Sequence, residues 1–412
     1  YTDIRNIIIE EDPHYFLRSN ESINTLRESG VFFTGEELSA DCARRISHTL
    51  QRDSKIVDPC CGAGNLLIAL SKHLPVEETL SDTLIMWNSM LHGYDLYEDF
   101  IYAAKLRLVL EAIRRGVVVD EINIDKNVNR LKNIKPLDFL SQNGSCEKYT
   151  HVIINPPYNQ SFLKEYKYWC GGKVNLAAVF IDKIIASSLS DMHLVAILPD
   201  VLRSGTRYEK WREEIGRLIS GEVIMRGRFD SKTDVDVFIL DCHVKENTNG
   251  IQWVNRHNDF SSVISDYFSV SIGRVVPYRD EEVGNNHKYI FPGLLKSWDK
   301  ICSSDIISKR KHKSVPIQPP FITIKRTSSP KDKNRAGAHL IYGSEPVFVE
   351  NHLIIVKPFD DDINTCEKLL TQLKSYQVNS FLNDVIRCRH LTVKVVKEIP
   401  FDLEVYDEKI TK

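Results

Sequence analysis

The chain has no apolar run near the ~18 residues that span a bilayer, so no membrane segment is expected. It opens at Tyr1 without an initiator Met and without a signal-like stretch. Its nine cysteines follow no regular spacing, which argues against a disulfide framework and fits a reducing, cytoplasmic setting. Cys60-Cys61 is the one close pair, and it lacks the two-residue spacer of a metal knuckle, so ordinary thiols and no metal site are expected. Internal repeats and low-complexity linkers are also missing. The net charge of −2 gives no overall attraction for nucleic acid, so such a partner would have to meet local basic patches. A chain of 412 residues is too long for one average core, and two or more domains are expected.

What is present alternates between strand-like and helix-like stretches. Residues 1–29 are polar and mixed and suit a helical extension. A loop at Gly30–Leu38 leads into a helix with Leu38, Ala43 and Ile46 near one face. Thr34 stands where it caps that helix; a helix start also offers N–H groups to a ligand carboxylate, and both roles stay open. Ile56-Val57 reads as a strand running into Asp58-Pro59-Cys60-Cys61-Gly62-Ala63-Gly64-Asn65 and then a helix. A strand, a glycine turn and a helix form the general device for a nucleotide-like ligand. The turn lacks the Lys-Ser/Thr that grips phosphates, and Asp58 favours a ligand with a cationic end over a polyphosphate. Asp95 ends a second strand at Leu91–Asp95, placed either to accept ribose hydroxyls or to cap the helix that follows. Asp138 and Phe139 end a third, offering an acceptor for an adenine amine and an apolar face for its ring.

Val152-Ile153-Ile154 reads as a buried strand that must stop at Asn155-Pro156-Pro157-Tyr158, because two prolines fix φ and donate no N–H. Asn155 and Tyr158 are thereby thrust out at the carboxyl end of a strand, where open α/β sheets bind ligands. A plain strand-ending turn is the bland alternative. A helix at Val179–Ala186, a fifth strand at His193–Pro199 and last strands at Glu222–Met225 and Val237–Leu240 follow. Phe229 is either core or a second aromatic wall beside the sheet edge. Pro199-Asp200 with Glu209-Lys210 mimics a metal nuclease site, but there the Glu and Lys are separated by one residue on a strand; these are adjacent in a helical stretch. Beyond about residue 249 the strand–helix alternation dissolves. Val270–Val276 alternates like an exposed strand, and helices are expected at Glu367–Leu370 and Phe381-Leu382. Between Ile301 and Leu340 there are nine Lys and Arg, including Lys309, Arg310, Lys311, Lys325, Arg326 and Arg335, against two Asp. Such a stretch suits loops that meet phosphates and base edges, or else a solvated charged surface.

These motifs, in this order over residues 30–245, resemble the adenine-N6 DNA methyltransferases whose target-recognition domain follows the catalytic domain. The resemblance implies an α/β, Rossmann-like methyltransferase domain with a mixed seven-stranded sheet at 30–248 and an α+β target-recognition domain at 249–412. It implies S-adenosylmethionine as cofactor. Thr34 matches the position that holds the methionine carboxylate, although Gly35 stands where the family commonly has proline. Asp58, Gly62 and Gly64 match the glycine-loop motif, Asp95 the ribose-binding acid, and Asp138 and Phe139 the residues around the cofactor adenine. Phe229 resembles the aromatic that contacts a flipped-out base. The implied partners are double-stranded DNA and, as in bacterial restriction-modification systems, a separate cognate endonuclease. An Asn-Pro-Pro-Tyr tip also serves enzymes that methylate RNA amines or protein glutamines, and a catalytically silent DNA-binding subunit could keep the same fold.

The tip's chemistry follows from its residues. An adenine amine is a poor nucleophile because its lone pair is delocalised into the ring. The Asn155 side-chain oxygen and the Pro156 carbonyl are two acceptors that favour a pyramidal, attacking nitrogen. Tyr158 would stack on a base swung out of the duplex, offsetting an unstacking cost of a few kcal/mol.

Overall fold

The computed structural model describes residues 35–141, 145–162, 172–229, 235–246, 250–254, 262–387 and 389–403. Short apolar runs closed by Asp, Asn or Pro become strands. These are β1 (Ile56–Asp58), β2 (Leu91–Asp95), β3 (Ile134–Pro136) and β4 (His151–Ile154), then a small antiparallel pair, β5 (Gln160–Phe162) and β6 (Lys173–Asn175). After them come β7 (His193–Pro199), β8 (Ile219–Arg228) and β9 (Asp236–Val244). Seven of these make one mixed sheet in the order β3-β2-β1-β4-β7-β9-β8. All neighbours run parallel except around β9, which is antiparallel to both β7 and β8. The chain winds outward from β1 to β3 and returns to β4 on the other side. The order therefore reverses between β1 and β4, and their carboxyl ends flank a crevice suited to a ligand.

Every residue of β1, β4 and β7 is buried, as expected of parallel strands covered on both faces. The covering helices are α1 (Glu36–Ser47), α2 (Asn65–Ser71), α3 (Leu80–Met90), α4 (Glu98–Arg114), α5 (Ile124–Val128), α6 (Leu176–Ala186), α7 (Asp200–Ser204) and α8 (Glu209–Leu218). Helix α1 buries Cys42, Ala43 and Ile46, with acids in its first turn and arginines in its last, matching the helix dipole. Its N-cap is Gly35, without a side-chain cap. Thr34 and the 1–29 extension lie outside the described residues.

At the amino-terminal edge of the sheet, away from the crevice, Thr49 Oγ1 lies 3.0 Å from both His151 Nε2 and His193 Nδ1. His193 Nε2 is 2.8 Å from Asp241, which in turn pairs with Arg45. The nuclease lookalike dissolves: Asp200 is buried at the start of α7 and pairs with Arg203 at 2.7 Å, while Glu209-Lys210 open α8. Among the described residues no cluster of His, Cys, Asp and Glu is arranged to hold a metal, and no helix is long and apolar enough to cross a membrane.

The chain divides into two compact units. The first runs to Trp253 apart from Ser204–Thr206, and the second holds those three residues and everything from Val254. The second unit contains α9 (Ile264–Tyr267), β10 (Phe268–Ile272), β11 (Asn285–Ile290), β12 (Lys300–Cys302), β13 (Lys309–His312), β14 (Phe321–Lys325), β15 (Ala338–Tyr342), β16 (Val347–Val349) and β17 (Leu353–Pro358). Helices α10 (Ile363–Gln372), α11 (Tyr376–Val385) and α12 (Val393–Lys397) follow. A five-stranded sheet, β10-β17-β14-β15-β12, accompanies a three-stranded one, β13-β11-β16. Ile322 and Ile324 of β14 pack with Leu369, Leu370 and Leu382 of the helices, while Phe321 packs with Ile290 and Val347 of the smaller sheet. The period-two alternation of β14 thus buries both of its faces, giving an α+β unit.

Candidate active site

A cavity of about 420 Å³ opens at the carboxyl ends of β1 to β4, within the usual size range for small-ligand sites. Asp58, Gly62, Asp95, Asp138, Phe139, Asn155 and Pro157 all line it, so seven residues singled out from four separate stretches of sequence meet in one place. Gly64, Pro156, Tyr158 and Phe229 are not among its lining residues.

The glycine turn owes its shape to two left-handed residues, Gly62 at φ 50° and Gly64 at φ 82°. Gly64 also meets the helix behind it: a Cβ there would stand 2.8 Å from Ala104 Cβ. At Gly62 a Cβ would meet nothing within 4 Å, so this glycine leaves the backbone open for a ligand. Arg107 of α4 fastens the turn, donating to Ala63 O at 2.6 Å and to Asn65 Oδ1 at 2.7 Å.

The acids are held by backbone N–H groups. Asp58 is 1% exposed and accepts from the Cys60 N–H at 3.1 Å. Asp95 accepts from Gly62 at 2.9 Å and from Tyr97 at 3.1 Å. Burial pushes the Asp58 carboxyl well above its ordinary pKa, against the Cys60 hydrogen bond, and neighbouring Asp95 adds to the rise. Asp95 is raised by the same desolvation, opposed by its N–H donors. A buried pair of acids of this kind is stabilised when a positive charge arrives, which suits a ligand with a cationic end. The same burial pushes the Cys60 and Cys61 thiols well up, leaving them neutral.

At the third strand, Asp138 Oδ1 accepts from the Leu140 and Ser141 N–H groups at 2.9 and 3.1 Å. The Phe139 ring lies nearly parallel to Phe180, with centroids 6.0 Å apart and an interplanar angle of 11°. Lys183 sits 5.2 Å from the Phe139 centroid and donates to its carbonyl at 2.6 Å.

The Asn-Pro-Pro-Tyr tip follows β4 and is tied on three sides. The Cys60 thiol donates to the Asn155 carbonyl at 3.3 Å, joining the glycine turn to the tip. The Tyr158 hydroxyl donates to Asn155 Oδ1 at 2.7 Å and lies 3.3 Å from the Ile197 carbonyl of β7. Asn175 donates to the Tyr158 carbonyl at 2.9 Å while its Oδ1 caps α6. Tyr158 and Phe229 meet edge to face with centroids 6.1 Å apart, and they are 8% and 7% exposed. The two expected aromatic walls are therefore adjacent, but packed on each other. Phe180, Leu176, Asn159 and Arg107 were not legible as site residues in the sequence. Phe180, Leu176 and Arg107 lie in ordinary helices whose periodicity signals only burial, and Asn159 lies in the irregular stretch between β4 and β5.

Two of the expected surface cations are corrected by the structure. Arg335 is 1% exposed and donates to the Leu382 and Ile386 carbonyls at the end of α11, the usual role of a cation at a helix C-terminus. Arg310 lies over the Tyr289 ring, donates to the Asp280 carbonyl and pairs with Glu282 at 3.2 Å. A charged loop was expected there, but β13 is a strand at the edge of its sheet, so alternate side chains turn inward. Lys309 and Lys311 face out, and Lys325 and Arg326 are half-buried.

The strand order, the single reversed strand and the crevice between β1 and β4 define an α/β domain of the methyltransferase class. Residues 14–197 match the family model of the N-6 DNA Methylase family. It is similar to the Type II methyltransferase M.VspI of Vibrio sp. (strain 343), with 26% identity over 226 residues, 50% of this chain and 49% of the relative. The chain thus spans about half the length of that curated relative. Among solved structures it resembles the type IIG restriction endonuclease BpuSI, with TM-score 0.45, 12% identity, and coverage of 96% of this chain and 61% of that one. A second is a modification subunit of a putative type I restriction enzyme from Vibrio vulnificus YJ016, with TM-score 0.40, 13% identity, and coverage of 65% and 52%.

Proposed function

We propose that this protein is a site-specific DNA methyltransferase that moves a methyl group from S-adenosylmethionine to the exocyclic N6 of an adenine swung out of duplex DNA. The observation that carries this reading is the convergence of the glycine turn, Asp58, Asp95 and the Asn155 tip on one cavity. The residues fit the cofactor. Gly62 leaves the backbone open, Asp95 offers acceptors to the ribose, Asp138 and Phe139 lie where an adenine would sit, and buried Asp58 favours the cationic end. Thr34, by resemblance, takes the carboxylate. When bound, the cofactor supplies a methyl group already activated by the sulfonium charge.

The protein's own task is then orientation. Asn155 Oδ1 and the Pro156 carbonyl accept the two hydrogens of the adenine amine and favour the attacking geometry of its nitrogen. Tyr158 holds the Asn155 amide in place through its hydroxyl. Tyr158 and Phe229 serve as walls for the base, which requires the edge-to-face pair to open when a planar ring enters. The second unit reads the DNA sequence, with Lys309, Lys311, Lys325 and Arg326 meeting phosphates, and a separate restriction endonuclease is the natural companion of such an activity.

The test is to incubate plasmid DNA with the protein and labelled cofactor, then map modified bases by sequencing. Label on adenine within one short motif is the expected result; label on RNA or protein would overturn the DNA assignment. Asn155→Ala is expected to lose methyl transfer by at least about a hundredfold while keeping cofactor affinity. Wild-type activity in that variant would refute the role of the tip.

A further inference from the structure

Asn159, four residues beyond Asn155, lines the same cavity, and its side-chain oxygen is buried without a hydrogen-bond partner among the described residues. A buried acceptor left unmade costs about 1–3 kcal/mol, and among the described residues Asn159 Oδ1 is the one such atom carried by a residue that lines the cavity. The Asn159 carbonyl accepts from the Leu176 N–H at 2.9 Å, fastening this residue to the start of α6. Leu176 and Phe180, one turn apart on α6, both line the cavity, and Phe180 stacks with Phe139. The Asn159 backbone is therefore fastened to the helix that brings Phe180 to the aromatic end of the cavity, the end suited to a flat heterocycle.

We infer that Asn159 is a cofactor-binding residue whose Oδ1 accepts a hydrogen from the exocyclic amine of the bound purine. That amine has two hydrogens, and Asp138 and Asn159 each offer it a side-chain acceptor. Together they select a 6-aminopurine over a purine with no amine. The inference rests on the cavity being the S-adenosylmethionine site.

Calorimetric titration of the full chain with two ligands tests it: S-adenosylhomocysteine, and its analogue with hydrogen in place of the 6-amino group. Asn159→Ala is expected to weaken the amine-bearing ligand about tenfold and the deamino analogue less than about twofold. Asn159→Asp, which keeps an acceptor, restores the preference. Equal weakening of both ligands, or an unchanged ratio of their affinities in Asn159→Ala, overturns the role of Asn159 while leaving the cofactor site standing. A wild-type chain that binds neither ligand overturns the cofactor reading and this inference together.

Discussion

Gly64→Ala tests whether the glycine turn is shaped by contact with α4 as well as by its own backbone. At φ 82° an alanine sits in the left-handed region, which costs roughly 1–2 kcal/mol. Its Cβ would stand 2.8 Å from Ala104 Cβ, in a helix face that is fully buried. Carbon atoms prefer about 3.5–4.0 Å, so turn and helix must part by roughly an ångström, at the ~1–3 kcal/mol typical of overpacking. The sum is about 2–5 kcal/mol. Helix α4 begins three residues after Asp95, so the same displacement loosens the Asp95–Gly62 hydrogen bond and weakens ligand binding. Hydrogen exchange of peptides covering β1 and β2 in increasing urea reads the stability of this unit, and titration with S-adenosylhomocysteine reads the site. Ala104→Gly separates the two contributions. It removes the near Cβ and leaves Ala104 Cα, 3.2 Å away, as the nearest atom; the double variant should recover about 1–2 kcal/mol of the Gly64→Ala loss beyond additivity. Strict additivity of the two substitutions would refute the contact argument, and a loss below about 0.5 kcal/mol in Gly64→Ala would refute the whole of it.

Arg335→Met should lower the urea midpoint of the second unit, because it strips buried carbonyls of their donor at a cost of about 1–3 kcal/mol each. The salt dependence of DNA binding should stay as it is, and a flattened salt slope would restore Arg335 as a phosphate contact. Charge reversal at Lys325 and Arg326 should weaken DNA binding and flatten that slope; unchanged affinity across a salt series would count against the proposed surface. Burial pushes His92, His151 and His339 from 6.5 to about 4. Their folded pKa values lie below the unfolded one, so the neutral forms contribute full stability above pH 6.5, and it is lost as pH falls toward 4. Each should cost about 1–3 kcal/mol across that window. Urea titrations of the wild type and His151→Gln at pH 7 and pH 4.5 check this, and an equal acid sensitivity in both would exclude His151 from the effect.

The sequence determined where three strands of the large sheet, β1, β4 and β7, lie and stop, but it missed β5, β6 and most strands of the second unit and read β8 and β9 too short. Ile56-Val57, Val152-Ile153-Ile154 and His193–Pro199 are β-branched or apolar runs cut off by Asp, Asn or Pro, and that local chemistry suffices to end a strand and throw the next side chain to the sheet edge. It also named Asp58, Asp95, Asp138 and Gly62, which line the cavity, because a left-handed turn or a carboxylate at a strand's end is a property of a few adjacent residues. Contacts between distant stretches were decided only by tertiary structure. Arg335 reads as one more cation in a basic run until α11 closes over it, and Arg310 until Tyr289 and Glu282 come alongside. Phe180 and Asn159 carry no local mark because their surroundings are assembled from β3, β4 and α6. The Tyr158 hydroxyl on Asn155 and the Cys60 thiol on its carbonyl follow the same rule: burial and pairing are set by what the rest of the chain brings near, and neither is encoded within the few residues of the motif itself.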